Sequence, residues 1–201
     1  MYKIGLTGGI ACGKTTVCSF LRQEGAAIID TDKIAHELVQ PGGALWQAYY
    51  DHFGEKVLAA DNTLDRRMIG NIVFANIKEK EWINAVSHPL IWEKVDKKIK
   101  EIELSGKKIV IIDVPLLFET GWDKFVDEIW VIYVDRKTQL KRLRQRNGYT
   151  FAEARHRIRS QMSLQLKIKL ADKVINTVNP LEINKKNVKR LWHALVNRLD
   201  I

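Results

Sequence analysis

Apolar residues along this chain follow two rhythms, short unbroken runs and stretches spaced by three and four. The unbroken runs are KIGLT (Lys3 to Thr7), AAIID (Ala26 to Asp30), KKIVIIDVP (Lys107 to Pro115), EIWVIYVD (Glu128 to Asp135) and, more weakly, KVIN (Lys173 to Asn176). Runs of this kind are what a parallel sheet buries on both faces, so five strands are predicted. Helical spacing takes over in KTTVCSFLRQEG, where Val17, Phe20 and Leu21 share a face and Gly25 supplies a stop. It returns between the second and third runs, in LDRRMIGNIVFAN and in KEKEWINAVSHPLIWEKVDKKIKEIELSG. The second of these is expected to be interrupted at His88-Pro89, because proline biases the residue before it away from helix. After the fourth run, RKTQLKRLRQRNG and TFAEARHRIRSQMSLQLKIK read as two helices joined at Gly148, and KKNVKRLWHALVNRL closes the chain amphipathically.

Strands alternating with helices predict an α/β fold, a doubly wound parallel sheet flanked by helices, with ligands bound beyond the carboxyl ends of the strands. The second strand is expected beside the first. The 201 residues fit a single domain, 1–201. Its core covers about 1–35, 105–135 and 170–201, with a helical insertion over about 36–104 and a second helical segment over about 136–169. A hydrophobic fraction of 46% and a charged fraction of 28% exclude a disordered chain. No stretch approaches a membrane span and the N-terminus has no signal-type apolar core, so a soluble cytoplasmic protein with no membrane partner is expected. Cys12 and Cys18 are the only cysteines, and no histidine completes a metal-ligand spacing with them, so neither disulfide nor metal is expected there.

Charge is unevenly placed. From Arg136 to Ile201 there are 17 Lys and Arg against 4 Asp and Glu, a balance of +13, within a chain whose net charge is +9. Such a segment can serve nucleic acid, a membrane surface or a polyphosphate ligand. The residues that follow the first strand bear on the choice.

Those residues are GLTGGIACGKTT, in which Gly8, Gly13, Lys14 and Thr15 fit the phosphate-loop pattern GxxxxGK[ST]. The glycines let successive backbone N–H groups turn inward at the positive end of the next helix, forming an anion nest. The candidate nucleotide-binding residues are therefore Gly8, Gly9, Ile10, Ala11, Cys12, Gly13, Lys14, Thr15 and Thr16. Lys14 can reach the outer phosphates of a nucleoside triphosphate, and the Thr15 hydroxyl is placed for the accompanying Mg²⁺.

A transferred phosphoryl group needs an acceptor and a base. Asp30 and Asp32, in AAIIDTD, stand at the end of the second strand. Asp32 is the candidate base, and either acid could instead cap the helix beginning near Lys33. Asp113 ends IVIID, as an acid that holds Mg²⁺ does, or else caps the turn before Pro115; Glu119 is a weaker second acid. Arg142 and Arg146 lie four apart on one helix face, with Arg155, Arg157 and Arg159 following, so a helical hairpin closing over the loop would bring guanidinium groups to the phosphates. His88 is readable as a packed structural histidine.

Taken together, IGLTGGIACGKTT, IIDTDKIAHELVQPG, LDRRMIGNIVFAN, HPLI, IDVPLLFETG, QLKRLRQRNG and RIRSQ resemble the dephospho-coenzyme A kinase family over nearly the whole chain. The resemblance implies a P-loop NTPase-type fold that uses ATP and Mg²⁺ to phosphorylate the ribose 3′-hydroxyl of dephospho-coenzyme A. It implies Asp32 as base, Lys14 and Thr15 as phosphate and metal contacts, and Arg142 and Arg146 in an Arg-rich lid. It makes the insertion an acceptor-binding lobe, with Arg66 and His88 at recurrent positions, and gives Asp32, Arg66, His88 and Gln161 as substrate-binding residues. The turn after the last strand reads INTVN where the family often shows an Asn-Asn-Gly-like turn near the adenine, and Ala11-Cys12 stands where Gly-Ser is frequent. Backbone donors survive the second change. Another small-molecule kinase, such as a nucleoside monophosphate kinase, is the nearer alternative. A nucleic-acid-associated P-loop protein is the more distant one, since the basic segment shows neither an aromatic-interleaved basic surface nor a known nucleic-acid module, and no nucleic acid or obligate protein partner is expected.

Overall fold

The structure is a computed structural model that describes residues 1–200. In chain order its elements are β1 (Tyr2–Gly8), α1 (Lys14–Gln23), β2 (Ala27–Asp30), α2 (Thr31–Leu38), α3 (Ala44–Phe53), α4 (Arg66–Ala75) and α5 (Ile77–Leu104). There follow β3 (Ile109–Asp113), β4 (Glu128–Tyr133), α6 (Arg136–Asn147), α7 (Phe151–Arg159), α8 (Leu164–Lys169), β5 (Lys173–Asn176) and α9 (Leu181–Arg198). The chain divides into two compact units, one of Met1–Ile29 with Ile102–Ile201 and one of Asp30–Glu101.

The first unit is built on a five-stranded sheet in the order β2-β3-β1-β4-β5, with β1 parallel to both β3 and β4, and β4 parallel to β5. The order corrects one expectation, because β3 and not β2 lies beside β1. The burial pattern explains why. All five residues of β3 are buried, which needs a neighbour on each side and cover on both faces, whereas β2 buries only Ile29 fully and suits an edge. Against one face of the sheet, α1 and α9 pack Val17, Leu21, Val188, Trp192 and Leu195 onto Ile4, Leu6, Ile111, Trp130 and Ile132. Truncating any one of these to alanine would cost about 2–5 kcal/mol.

Two helices depart from the pattern read in the sequence. TFAEARHRIRSQMSLQLKIK is not one helix but two, since Ser163 caps a new start by accepting from Leu166 N–H at 3.2 Å. The intervening Gln161 and Met162 are tied elsewhere, to Ile10 N–H and Glu119 respectively. Conversely, α5 runs unbroken through Pro89. Proline removes one helix bond, but Trp82, Ile83 and Val86 before it and Leu90 and Ile91 after it all pack on the same cluster. That packing holds both halves in one helix.

The second unit closes on that cluster, in which Leu45, Tyr49, Phe53 and Val57 are buried. Tyr49 shares a 2.9 Å hydrogen bond with Ser87 of α5, and His52 stacks on Trp82 at 3.7 Å while bonding Glu79. Among the described residues no helix is long and apolar enough to cross a membrane.

Candidate active site

The phosphate loop leaves β1 at Gly8 and enters α1 at Lys14. Gly13, the residue before the helix, has φ 89°, a left-handed conformation that favours glycine. No side chain caps this end of α1 and no acidic residue stands in its first turn. The first N–H groups of a helix have no acceptor within it, so the end presents unpaired donors and the positive pole of the helix dipole. Thr15 and Thr16, in that first turn, are exposed. An anion is what such an end binds.

The Lys14 ammonium forms an ion pair with Asp113 Oδ1. Asp113 ends β3, is 5% exposed and lies in register with Leu6 of β1, so the sheet places it beside the root of the loop. Its other oxygen lies 3.4 Å from Cys18 Sγ. Burial, followed by the Asp113 charge, pushes the Cys18 thiol up to about 12. Burial also pushes the Cys12 thiol up to about 11.

Arg142 reaches the same loop. Its guanidinium donates to Thr177 Oγ1 and O at 3.2 and 2.7 Å, and the Thr177 hydroxyl donates to Cys12 O at 2.7 Å. Arg146 is exposed and bonds its neighbour Asn147 through Nε. Arg155, Arg157 and Arg159 are exposed on α7, with Arg157 over the Tyr149 ring at 4.5 Å. Glu119 is engaged by the Lys167 ammonium at 2.9 Å and accepts from Met162 N–H. Gln161 is brought to the loop backbone, where its Oε1 accepts from Ile10 N–H at 2.9 Å.

The second unit holds a cavity of about 990 Å³ whose lining includes Asp32, His36, Tyr49, Arg66 and Ile69. The capping question separates the two acids of AAIIDTD. Asp30 is the N-cap of α2 and accepts from Lys33 N–H at 3.1 Å, while Asp32 is exposed in the first turn, at the cavity. Arg66 Nη2 lies 3.0 Å from His36 Nδ1. Guanidinium only donates, so that ring nitrogen can serve only as the acceptor in this contact. His88 follows buried Ser87 on α5 and is not among the residues lining the cavity; burial lowers its pKa.

Gln139, Lys167 and His36 were not singled out from the sequence, and Thr177 was read only as part of the INTVN turn near the adenine. Each acts through a partner distant in the chain or on another element, and no spacing rule marks such pairs. A residue-type signal exists only for Lys167, a lysine among the apolar positions of LQLKIK.

The family model for CoaE, dephospho-CoA kinase, matches residues 2–182. The dephospho-CoA kinase of Carboxydothermus hydrogenoformans is 45% identical over 185 residues, covering 92% of this chain and 90% of that one. That of Geobacillus kaustophilus is 41% identical over 195 residues, covering 96% and 97%. Among solved structures, the dephospho-CoA kinase from Campylobacter jejuni superposes with a TM-score of 0.72 at 27% identity, covering 96% of each chain. TT1252 from Thermus thermophilus superposes with a TM-score of 0.79, also at 27% identity, covering 98% of this chain and 97% of that one. With a phosphate loop of this geometry and matches of this extent, the chain belongs to the dephospho-CoA kinase family.

Proposed function

We propose that this protein transfers the γ-phosphoryl group of ATP to the ribose 3′-hydroxyl of dephospho-coenzyme A, giving coenzyme A and ADP. The observation that carries the proposal is the uncapped amino end of α1 with Lys14 and Asp113 beside it, in a chain of this family. The loop amides and Lys14 bind the triphosphate, which draws Lys14 away from Asp113. Arg142, beside Gly13, and Arg146, one turn on, balance the charge of the transferring group as the α6–α7 hairpin closes over it. The cavity at Asp32 and Arg66 takes the acceptor; His88 belongs to the same lobe. Asp32 accepts the 3′-hydroxyl proton as the new O–P bond forms and the bond from the γ-phosphorus to the bridging oxygen breaks, leaving ADP.

Mg²⁺ fits the donors present. Thr15 offers an exposed hydroxyl and Asp113 a carboxylate, both hard oxygen ligands. Among the described residues there is no cluster of three or more His, Cys, Asp or Glu, and a Mg²⁺ that takes most of its ligands from phosphate and water needs none. When bound, the ion would neutralise charge on the phosphates.

The test is turnover. With ATP and Mg²⁺, ADP release is expected with dephospho-coenzyme A and not with AMP, CMP or shikimate; turnover on a nucleoside monophosphate alone would overturn the assignment. Asp32→Asn is expected to lower kcat about a hundredfold with little change in ATP affinity. A near-normal kcat would remove Asp32 from the chemistry.

A further inference from the structure

Ile10 sits inside the phosphate loop, and both of its backbone polar groups are held by side chains, one from α6 and one from the break between α7 and α8. Its N–H donates to Gln161 Oε1 at 2.9 Å, and its carbonyl accepts from Gln139 Nε2 at 2.9 Å. An amide N–H can only donate and a carbonyl can only accept, so the two glutamines have opposite and fixed roles. A planar trans peptide points its N–H away from its C=O. By capturing Ile10 O, Gln139 therefore turns Ala11 N–H the other way. Ala11 itself has φ 60°, a conformation that a residue with a Cβ rarely adopts. That the loop keeps it there calls for restraint from outside.

Gln139 is built for that task. It is 2% exposed, in the first turns of α6, and its amide touches the loop a second time at Cys12 Sγ, 3.7 Å away. A Cβ added at Gly9 would lie 2.6 Å from Gln139 Nε2, so Gly9 leaves the space that the glutamine fills. Gln161 sits at the break between α7 and α8, on a pocket that also contains Arg136 and Arg159.

We propose that Gln139 and Gln161 are positioning residues that preset the peptide orientations of the phosphate loop for the triphosphate, Gln139 as donor and Gln161 as acceptor. The proposal rests on the loop being the ATP site. It predicts opposite responses to one substitution. Gln161→Glu keeps the acceptor, and Arg136 and Arg159 offset its charge; Gln139→Glu replaces the donor with a carboxylate facing a carbonyl.

ATP affinity by titration calorimetry, KM for ATP, and melting temperature would be measured for the full chain and for Gln139→Glu, Gln139→Met, Gln161→Glu and Gln161→Met. Methionine is close to glutamine in length and has no amide, so it carries the Gln139 arm even if the buried carboxylate prevents folding. Both Gln139 variants and Gln161→Met are expected to bind ATP about tenfold or more weakly, with the loss in KM exceeding that in kcat. Gln161→Glu is expected to bind at least tenfold more tightly than Gln161→Met. Wild-type affinity in Gln139→Met, or equal affinities in the two Gln161 variants, would overturn the proposal. Failure of the unaltered chain to bind ATP would instead overturn the reading of the loop.

Discussion

Lys167 is fully buried, and what happens when its partner is removed tests how the segment beside the phosphate loop is held. The ammonium donates to Pro115 O at 3.2 Å and pairs with Glu119, whose side chain is 24% exposed. Removing one member of a buried ion pair costs about 3–5 kcal/mol, because the other charge is left without compensation. Here the Pro115 carbonyl remains and Glu119 already admits some water, so the low end applies. Glu119→Ala should destabilise the first unit by about 3 kcal/mol. In a chain of this length that corresponds to roughly 6–12 °C in Tm.

Lys167→Met removes the charge and keeps the stem, leaving a carboxylate that water can reach, and should cost only about 1 kcal/mol. The double variant should then resemble Lys167→Met, so a double-mutant cycle followed by urea unfolding should give a coupling of about 2–3 kcal/mol. Glu119 also accepts from Met162 N–H, next to Gln161, so KM for ATP should rise in both variants that lack Glu119, including the one whose stability is restored. A metal ligand would behave differently, with the Mg²⁺ dependence shifted and stability near that of the unaltered chain. A loss below about 1 kcal/mol in Glu119→Ala, or a loss that Lys167→Met does not relieve, would refute the anchoring role.

Two further outcomes follow from the titrating groups. Burial would raise the Glu128 carboxyl, but hydrogen bonds from Arg198, Trp130 Nε1 and Tyr2 outweigh it and hold the group below the usual carboxylate value. A depressed folded-state value means stabilisation that is complete above the unfolded value of about 4.3 and lost as the pH falls through the folded one. Glu128→Gln should therefore lower Tm near pH 7 and flatten its decline below about pH 5 in thermal melts; parallel declines would count against the network. Cys12 and Cys18, with thiols pushed up to about 11 and about 12, should resist a disulfide-exchange reagent at pH 8 in the native protein and both react after unfolding in guanidinium. Fast labelling of the native chain would contradict their burial.

The strands and the loop were legible because their signals are local. β3 buries five consecutive residues, and IVIID shows that as four apolar residues in a row ending at the buried Asp113. The left-handed Gly13 falls where the GxxxxGK[ST] pattern requires a glycine. Strand order was not legible, since AAIID and IVIID look alike until one asks which has polar neighbours to keep wet; β2 ends directly at the capping Asp30. Pro89 misled for the converse reason. The local rule against helix is real, and packing on both sides of the proline overrides it. Which of Asp30 and Asp32 caps α2 needed coordinates, since both acids of AAIIDTD stand where a cap can form, and only Asp30 accepts from Lys33 N–H while Asp32 is exposed in the first turn.

The INTVN turn bears on how the loop stays competent. The Thr177 hydroxyl has one proton, and Cys12 O at 2.7 Å is closer than Tyr133 O at 3.3 Å, so the proton goes to the loop while Arg142 donates to the hydroxyl from behind. Holding Cys12 O turns the N–H of Gly13 in the opposite direction, as Gln139 does for Ala11 by holding Ile10 O. An anion nest fails if a carbonyl swings inward, because the oxygen would repel the phosphate it replaces a donor for. Two carbonyls, at Ile10 and Cys12, are captured by groups from α6 and from the end of β5, and both captures leave amides facing away from the captor. Thr177 thus has a task set by the loop backbone, independent of the base that the nucleotide carries.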